Sequence, residues 1–509
     1  MDWLARDSAS VWHPFTQHSL WRDDEPTVID RAEGPWLFDV DGNRLLDGVS
    51  SLWVTTFGHG MPEINDAIKA QLDRLDHATF LGATHVPGIE LAERLLRTAP
   101  GAEPRGSAAT APGVAPAPSA HRWSGTGGTV PPPDPDLPGG PGPTDPEGPT
   151  DPKPTDPTDP TGPDEPPAQN QPRLGKVFFA GDGSSAVEVA LKMAYQHSVQ
   201  AGTGPDGGGR PLFLHLQEAY HGDTLGAVSV GGIELFHATY RPLLLETVTV
   251  GSPGVRKPGQ TPAERAVEAA QEMAEAMARH RDRICAIVVE PLVQAAAGML
   301  TYDAHFLRAA RRLATEYGAL LICDEVATGI ARTGRMWAVE HAGVVPDLLT
   351  TAKGLTGGYL PLSAVLATDE VYASFLGSAA SGRTFFHGHT YTANPVCCAA
   401  ANANLSLVEE RGLVARAAAL GERIGELLKP LEDHEGVLEI RRLGTMTGIE
   451  VRSAGERTGM AVCAAARRRG VWLRPLGDTI ILMPPLGLEP AETELLAAAA
   501  IEAVDEVVR

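Results

Sequence analysis

The chain has 509 residues, 43% of them hydrophobic, which is enough for a large core and a smaller one beside it. Asp and Glu number 64 against 42 Lys and Arg, and the formal net charge of −22 argues against nucleic-acid backbone binding as a main activity. The five cysteines (Cys285, Cys323, Cys397, Cys398, Cys463) form no CxxC pair, and the segment Met1–Asp7 has no basic stretch leading into an apolar one. No apolar run approaches membrane length, so the expectation is a reduced, cytoplasmic chain with no signal peptide and no membrane partner.

In chain order, the first clear periodicity is helical, over Gly88–Leu96. Residues 100–172 then break every pattern. They are rich in Pro, Gly, Asp and Thr, with Pro131–Pro133 and Thr-Asp-Pro triplets starting at Thr144, Thr150, Thr155 and Thr158. Such composition blocks helix and ladder and offers little to a core, so it reads as a disordered or partly polyproline-II insertion. A long surface loop adds little closure entropy, which makes a tolerated expansion the simpler reading against a docking role.

Structure resumes with a buried strand over Lys176–Ala180. Ser184 can cap a helix whose apolar positions are Val187, Ala190, Leu191 and Ala194. A strand follows over Leu212–Leu216. Thr261-Pro262-Ala263-Glu264 is a capping box that opens a helix to about Arg281. Next come a strand over Ile284–Glu290, a helix over Phe306–Tyr317, and apolar runs over Ala319–Cys323 and Leu348–Ala352. This βα alternation predicts an α/β fold with a mainly parallel sheet covered on both faces. From about Gly412 helices return, followed by strand-like runs at Val471–Arg474 and Ile480–Met483. The expected organisation is a large domain from 61–99 and 173–375, and a smaller α+β domain from 1–60 and 376–509.

Two of the apolar runs end in chemistry. Asp324 and Glu325 follow one, and Lys353 follows the other, just before Gly354, Gly357 and Gly358. Strand carboxyl ends are where doubly wound sheets bind ligands. A lysine in a dry, glycine-lined site there suits imine chemistry. The loop Gly181-Asp182-Gly183-Ser184-Ser185 opens a helix, so Gly183 and Ser184 could hold a phosphate. Tyr220 follows another strand, where an aromatic could stack on a flat ring or be a half-buried structural tyrosine. Phosphate, ring face, carboxylate and amine are together what pyridoxal 5′-phosphate requires. His387 and His389 have no acid or cysteine set nearby to complete a metal site. A dinucleotide fold lacks its GxGxxG.

Cys323-Asp324-Glu325-Val326-Ala327-Thr328-Gly329, Arg332-Thr333-Gly334, Pro346-Asp347-Leu348 and Lys353-Gly354-Leu355-Thr356-Gly357-Gly358 resemble the class III aminotransferases among the fold-type-I pyridoxal-phosphate enzymes. The resemblance spans nearly the whole chain outside the Pro-rich segment. Trp12-His13-Pro14-Phe15, Gly48-Val49-Ser50-Ser51-Leu52-Trp53 and Gly470-Val471-Trp472-Leu473-Arg474-Pro475 are similar to one branch, the adenosylmethionine–8-amino-7-oxononanoate aminotransferases of biotin biosynthesis.

The resemblance implies a homodimer with shared sites. Lys353 would bind the cofactor covalently and shuttle the proton, and Asp324 would hold the protonated ring nitrogen. Tyr220 would stack on the ring, Gly183 and Ser184 would hold the phosphate, and Glu290 would support the cofactor site. Thr390, after Gly388 in His387-Gly388-His389-Thr390, would reach the neighbouring subunit's phosphate. Arg474 would pair with the substrate carboxylate; its apolar neighbours Val471, Trp472, Leu473 and Leu476 suggest partial burial. Trp53 would line the aliphatic channel, with Phe15 and Gly388 at the substrate pocket and Asp223 near the substrate amine. The implied substrates are 8-amino-7-oxononanoate and S-adenosylmethionine. The family often has tyrosine where Phe15 and Ile481 stand, tryptophan at Leu52 and proline at His389. These pocket changes leave lysine as an alternative donor, or another ω-amino acid or diamine as substrate.

Overall fold

The computed structural model describes residues 2–102 and 171–508. The Pro-rich segment expected at 100–172 lies almost entirely outside the described residues.

A seven-stranded sheet forms the centre. Its strand order is Leu174–Ala180, Ser363–Thr368, Leu348–Thr351, Leu320–Asp324, Ile284–Val289, Leu212–Leu216 and Val248–Val250. Only Ser363–Thr368 runs against the others; it pairs antiparallel with both of its neighbours. Ile284–Val289 is buried at every position, as a strand covered on both faces should be, and its Val and Ile side chains suit a pleated surface. One face packs under the helices Pro262–Arg279 and Ala304–Glu316, the other under Gly183–Gln200. The capping box at Thr261 and Glu264 forms, each side chain bonding the other residue's backbone N–H.

A second body of structure is built around two four-stranded sheets. In one, Val437–Leu443, Met446–Val451, Thr479–Leu482 and Arg474–Leu476 pair antiparallel. In the other, Ile29–Glu33, Trp36–Asp39 and Arg44–Asp47 are completed by Val471–Trp472, which pairs in parallel with Leu46 and Asp47. The chain's beginning and end are therefore one packing unit.

The boundary at 375/376 is corrected by helix Pro395–Glu410. Cys397, Cys398, Ala400, Ala401, Leu405 and Val408 are buried in the core of the large sheet, and the helix packs on Pro62–Leu72 and Val86–Thr98. Its small, almost uniformly apolar faces suit a helix buried nearly all round, not one at the edge of a second domain.

Arg332 ties the segments together. It is buried, and it donates to Pro484 O at 2.6 Å and Thr55 O at 2.7 Å. Burial pulls its pKa down to about 10.

Trp337 is fully buried, and its Nε1 donates to Thr98 O at 2.6 Å. Trp337→Ala should cost about 3–5 kcal/mol of unfolding free energy. A denaturant titration reads this directly, and a loss below about 1 kcal/mol would contradict the packing described.

Candidate active site

The carboxyl ends of the central strands open into a cavity of about 530 Å³. Its walls include Trp53, Gly183, Ser184, Tyr220, Glu290, Asp324 and Lys353, so seven of the residues singled out from sequence meet there.

Lys353 leaves the strand Leu348–Thr351 with φ of 44° and opens a short 3₁₀ turn that Gly357 ends at φ 68°. A left-handed lysine is strained, and such strain is held where the surrounding structure over-determines it. Burial lowers the lysine's pKa, against the opposing pull of Asp324 and Glu290. Its Nζ stands 5.2 Å from the centroid of the Trp53 ring.

Asp324 ends the neighbouring strand, in register with Thr350. Its Oδ1 accepts from Val326 N and from Thr350 Oγ1, both at 3.0 Å. Its Oδ2 accepts from His221 Nδ1 at 2.8 Å. His221 is buried and its Nε2 has no partner. Burial disfavours the imidazolium, but the bond to Asp324 and the charges of Asp324 and Glu290 outweigh it, so the pKa is raised. Sequence reasoning missed His221 and Thr350. Adjacency to Tyr220 was the only signal for His221, and nothing in one sequence places it opposite Asp324.

Glu290 is buried at the cavity wall. It accepts from Tyr220 N and Ala295 N, both at 3.0 Å, and burial pushes its pKa to about 7. The Tyr220 hydroxyl donates to Asp223 Oδ2 at 2.9 Å, and Tyr220's own pKa is raised, by burial first and then by Asp223. The tyrosine is thus fixed at its backbone and at its tip.

The helix Gly183–Gln200 is capped by Asp182, not by Ser184 as expected. Asp182 is extended at φ −153°, so its Oδ1 reaches Ser185 N at 2.9 Å. Ser184 stands inside the first turn and accepts from Asp223 N at 3.2 Å. The first amides, of Gly183 and Ser184, have no partner within the helix, and such a helix start beside the cavity could hold an anion. Gly222 is needed beside them, since a Cβ there would meet Ser184 Oγ at 2.0 Å. An anion cradle, a fixed aromatic, an oriented carboxylate and a buried amine around one cavity fit pyridoxal phosphate.

Other predicted residues stand apart. Asp223 is exposed beside Tyr220 and Ser184 and does not line the cavity. Phe15 is 61% exposed and leans edge-on against Phe236, which in turn meets the Tyr220 ring. Gly388 and Thr390 lie on an exposed loop away from the cavity lining. Arg474 is exposed, which corrects the expectation of partial burial. Val471 and Leu473 turn into the core, and the alternation of the chain puts Arg474 on the other side.

Glu325, next to Asp324, is fully buried. It accepts from Thr328 Oγ1 at 2.5 Å and Val339 N at 2.9 Å, and burial raises its pKa to about 7. A raised folded pKa gives stability that is present below the unfolded value and lost as pH rises through the folded one. Glu325→Gln should therefore shrink the fall in melting temperature between about pH 5 and about pH 8. An unchanged fall in a thermal-shift series would contradict this.

Comparison with known proteins agrees with the geometry. The family model for aminotransferase class III matches residues 19–112 and 167–504. Adenosylmethionine-8-amino-7-oxononanoate aminotransferase of Nitratidesulfovibrio vulgaris is 41% identical over 502 residues, covering 96% of this chain and 79% of that protein. The enzyme of the same name from Geobacter sulfurreducens is 37% identical, covering 97% and 95%. Among solved structures, the Methanocaldococcus jannaschii enzyme of that name superposes with a TM-score of 0.80 at 32% identity, covering 99% and 98%. An amine transaminase from an uncultivated Pseudomonas species, in its PLP-bound form, gives 0.79 at 31% identity, covering 98% and 99%.

Proposed function

The chain belongs to the class III aminotransferases, and from that premise we propose that it moves an amino group from S-adenosylmethionine to 8-amino-7-oxononanoate, giving 7,8-diaminononanoate, with pyridoxal phosphate as cofactor. The carrying observation is Lys353 and Asp324 at adjacent strand ends in one cavity. The relatives' names supply the substrates.

Pyridoxal phosphate, when bound, supplies an aldehyde and an electron-withdrawing ring. Gly183 and Ser184 bind its phosphate through the helix amides. Asp324 holds a proton on the ring nitrogen, and a carboxylate has lone pairs to spare beyond its three present bonds. His221 and Thr350 keep that carboxylate oriented. Tyr220 presents its ring to the cofactor, held by Glu290 and Asp223. Lys353 Nζ, with a pKa lowered by burial, is the amine that takes and returns the proton. Trp53 walls the site beside it and keeps water from the amine.

Arg474 binds the substrate carboxylate. Its exposed guanidinium has no ion pair among the described residues, so it is free to do so. Phe15, Gly388 and Asp223 do not line the cavity itself; in this reading Phe15 and Gly388 border the substrate pocket from outside that lining and Asp223 stands near the substrate amine. The enzyme acts as a homodimer in the cytoplasm, and Thr390 reaches the phosphate bound by the neighbouring subunit. The exposure of Phe386 (80%) and Tyr391 (67%) on that loop supports an interface there. The five cysteines are free and buried, as suits a reducing compartment. No helix among the described residues is long and apolar enough to cross a membrane.

The test is product formation from 8-amino-7-oxononanoate with each donor in turn. Diaminononanoate should form with S-adenosylmethionine and not with lysine; formation with lysine alone would overturn the donor, and formation with neither would overturn the substrate. Arg474→Leu should lower kcat/KM for the acceptor by about tenfold to a hundredfold, the loss of a charge-assisted bond. An unchanged value would remove Arg474 from the site.

A further inference from the structure

The wall that carries Trp53 has an unusual backbone. In Ser50-Ser51-Leu52-Trp53 three residues are left-handed, Ser50 at φ 50°, Ser51 at 61° and Trp53 at 66°, and Leu52 between them is at −146°. The stretch contains no glycine, so each of these conformations is sterically costly for its side chain. Something must over-determine it.

Asp47 does. It ends the strand Arg44–Asp47 and is fully buried, with no part in the cavity lining. Its Oδ1 accepts from Ser51 N at 2.8 Å and from Val49 N at 3.3 Å. Its Oδ2 accepts from Ser51 Oγ at 2.9 Å and from His59 Nε2 at 3.3 Å. The turn is pinned further by Ser50 Oγ, which donates to Met483 O at 2.7 Å. Trp53 emerges nearly buried, with its ring 5.2 Å from Lys353 Nζ.

We propose that Asp47 is a positioning residue for the reaction: its carboxylate holds the strained Ser50–Trp53 turn and thereby sets the Trp53 indole against Lys353 as the preformed wall of the acceptor pocket. A buried carboxylate whose oxygens accept two backbone amides, a hydroxyl and an imidazole is a rigid clamp. The indole it places is a large, flat apolar surface, suited to the aliphatic chain of an oxo acid. The inference rests on the reading of Lys353 and Trp53 given above, and it adds a residue that never touches substrate.

A double-mutant cycle of Asp47→Ala and Trp53→Phe in the full-length, cofactor-loaded enzyme tests it. The readouts are KM and kcat for 8-amino-7-oxononanoate, cofactor absorbance and melting temperature. Asp47→Ala should raise the acceptor KM by about tenfold while cofactor absorbance is kept. In the Trp53→Phe background the same change should raise it by less than about twofold, because the wall is already lost. Asp47→Asn, which can still accept from Ser51 N, should recover most of the wild-type KM. Equal effects of Asp47→Ala in both backgrounds, or no recovery with Asp47→Asn, would overturn the proposal. If Asp47→Ala does not fold, Ser51→Ala takes its place and removes only the hydroxyl bond to Oδ2; additive effects there would overturn it equally. Wild-type enzyme that binds no cofactor would sink the functional reading instead, whereas a loaded, active enzyme with an additive cycle sinks this proposal alone.

Discussion

For Lys353 to serve as the proposed nucleophile near neutral pH it has to be kept from holding its proton too tightly, and burial pulls its pKa in that direction. Lys353 sits in a cavity walled by Trp53 and closed below by the sheet, and desolvation lowers its pKa. Two carboxylates nearby, Asp324 and Glu290, pull the other way. Much of the surrounding hydrogen bonding can be understood as managing those two charges. Asp324 is surrounded by donors from Val326, Thr350 and His221, which fix the orientation of its carboxylate. Glu290 is deeper, and burial pushes its pKa up to about 7.

The sheet makes this arrangement possible. Parallel neighbours bring Asp324 and Thr350 into register, and the next strand on the other side delivers Glu290. Because these strands share a direction, their carboxyl ends open on one edge, where the first turn of helix Gly183–Gln200 also points its amides. The second unit contributes the remaining wall. Its hold on the site runs through Arg332, which binds carbonyls at Thr55 and Pro484, and through the turn that carries Trp53.

Much of this was legible in the sequence because it follows from local rules. Continuous apolar runs over Ile284–Val289 and Leu348–Thr351 announced buried parallel strands, and the residues just after such runs announced the cavity. What was not legible depends on tertiary contact. His221 and Asp324 are 103 residues apart, and only the folded sheet makes them a pair. Asp182 and Ser184 are both capping types, and only the extended backbone at Asp182 decides between them. Arg474 seemed half-buried among apolar neighbours, yet strand alternation turned it outward. The left-handed turn before Trp53 has no glycine to signal it, and one of the bonds it makes, from Ser50 Oγ to Met483 O, joins residues 433 positions apart.

The central claim is that Lys353 is the amine that carries the cofactor. Borohydride reduction of the pyridoxal-phosphate-loaded protein, followed by peptide mass mapping, tests it most directly. The account predicts the cofactor's mass fixed on the peptide that contains Lys353, and none fixed in Lys353→Ala. Fixation on a different lysine, or undiminished labelling of the variant, would contradict it.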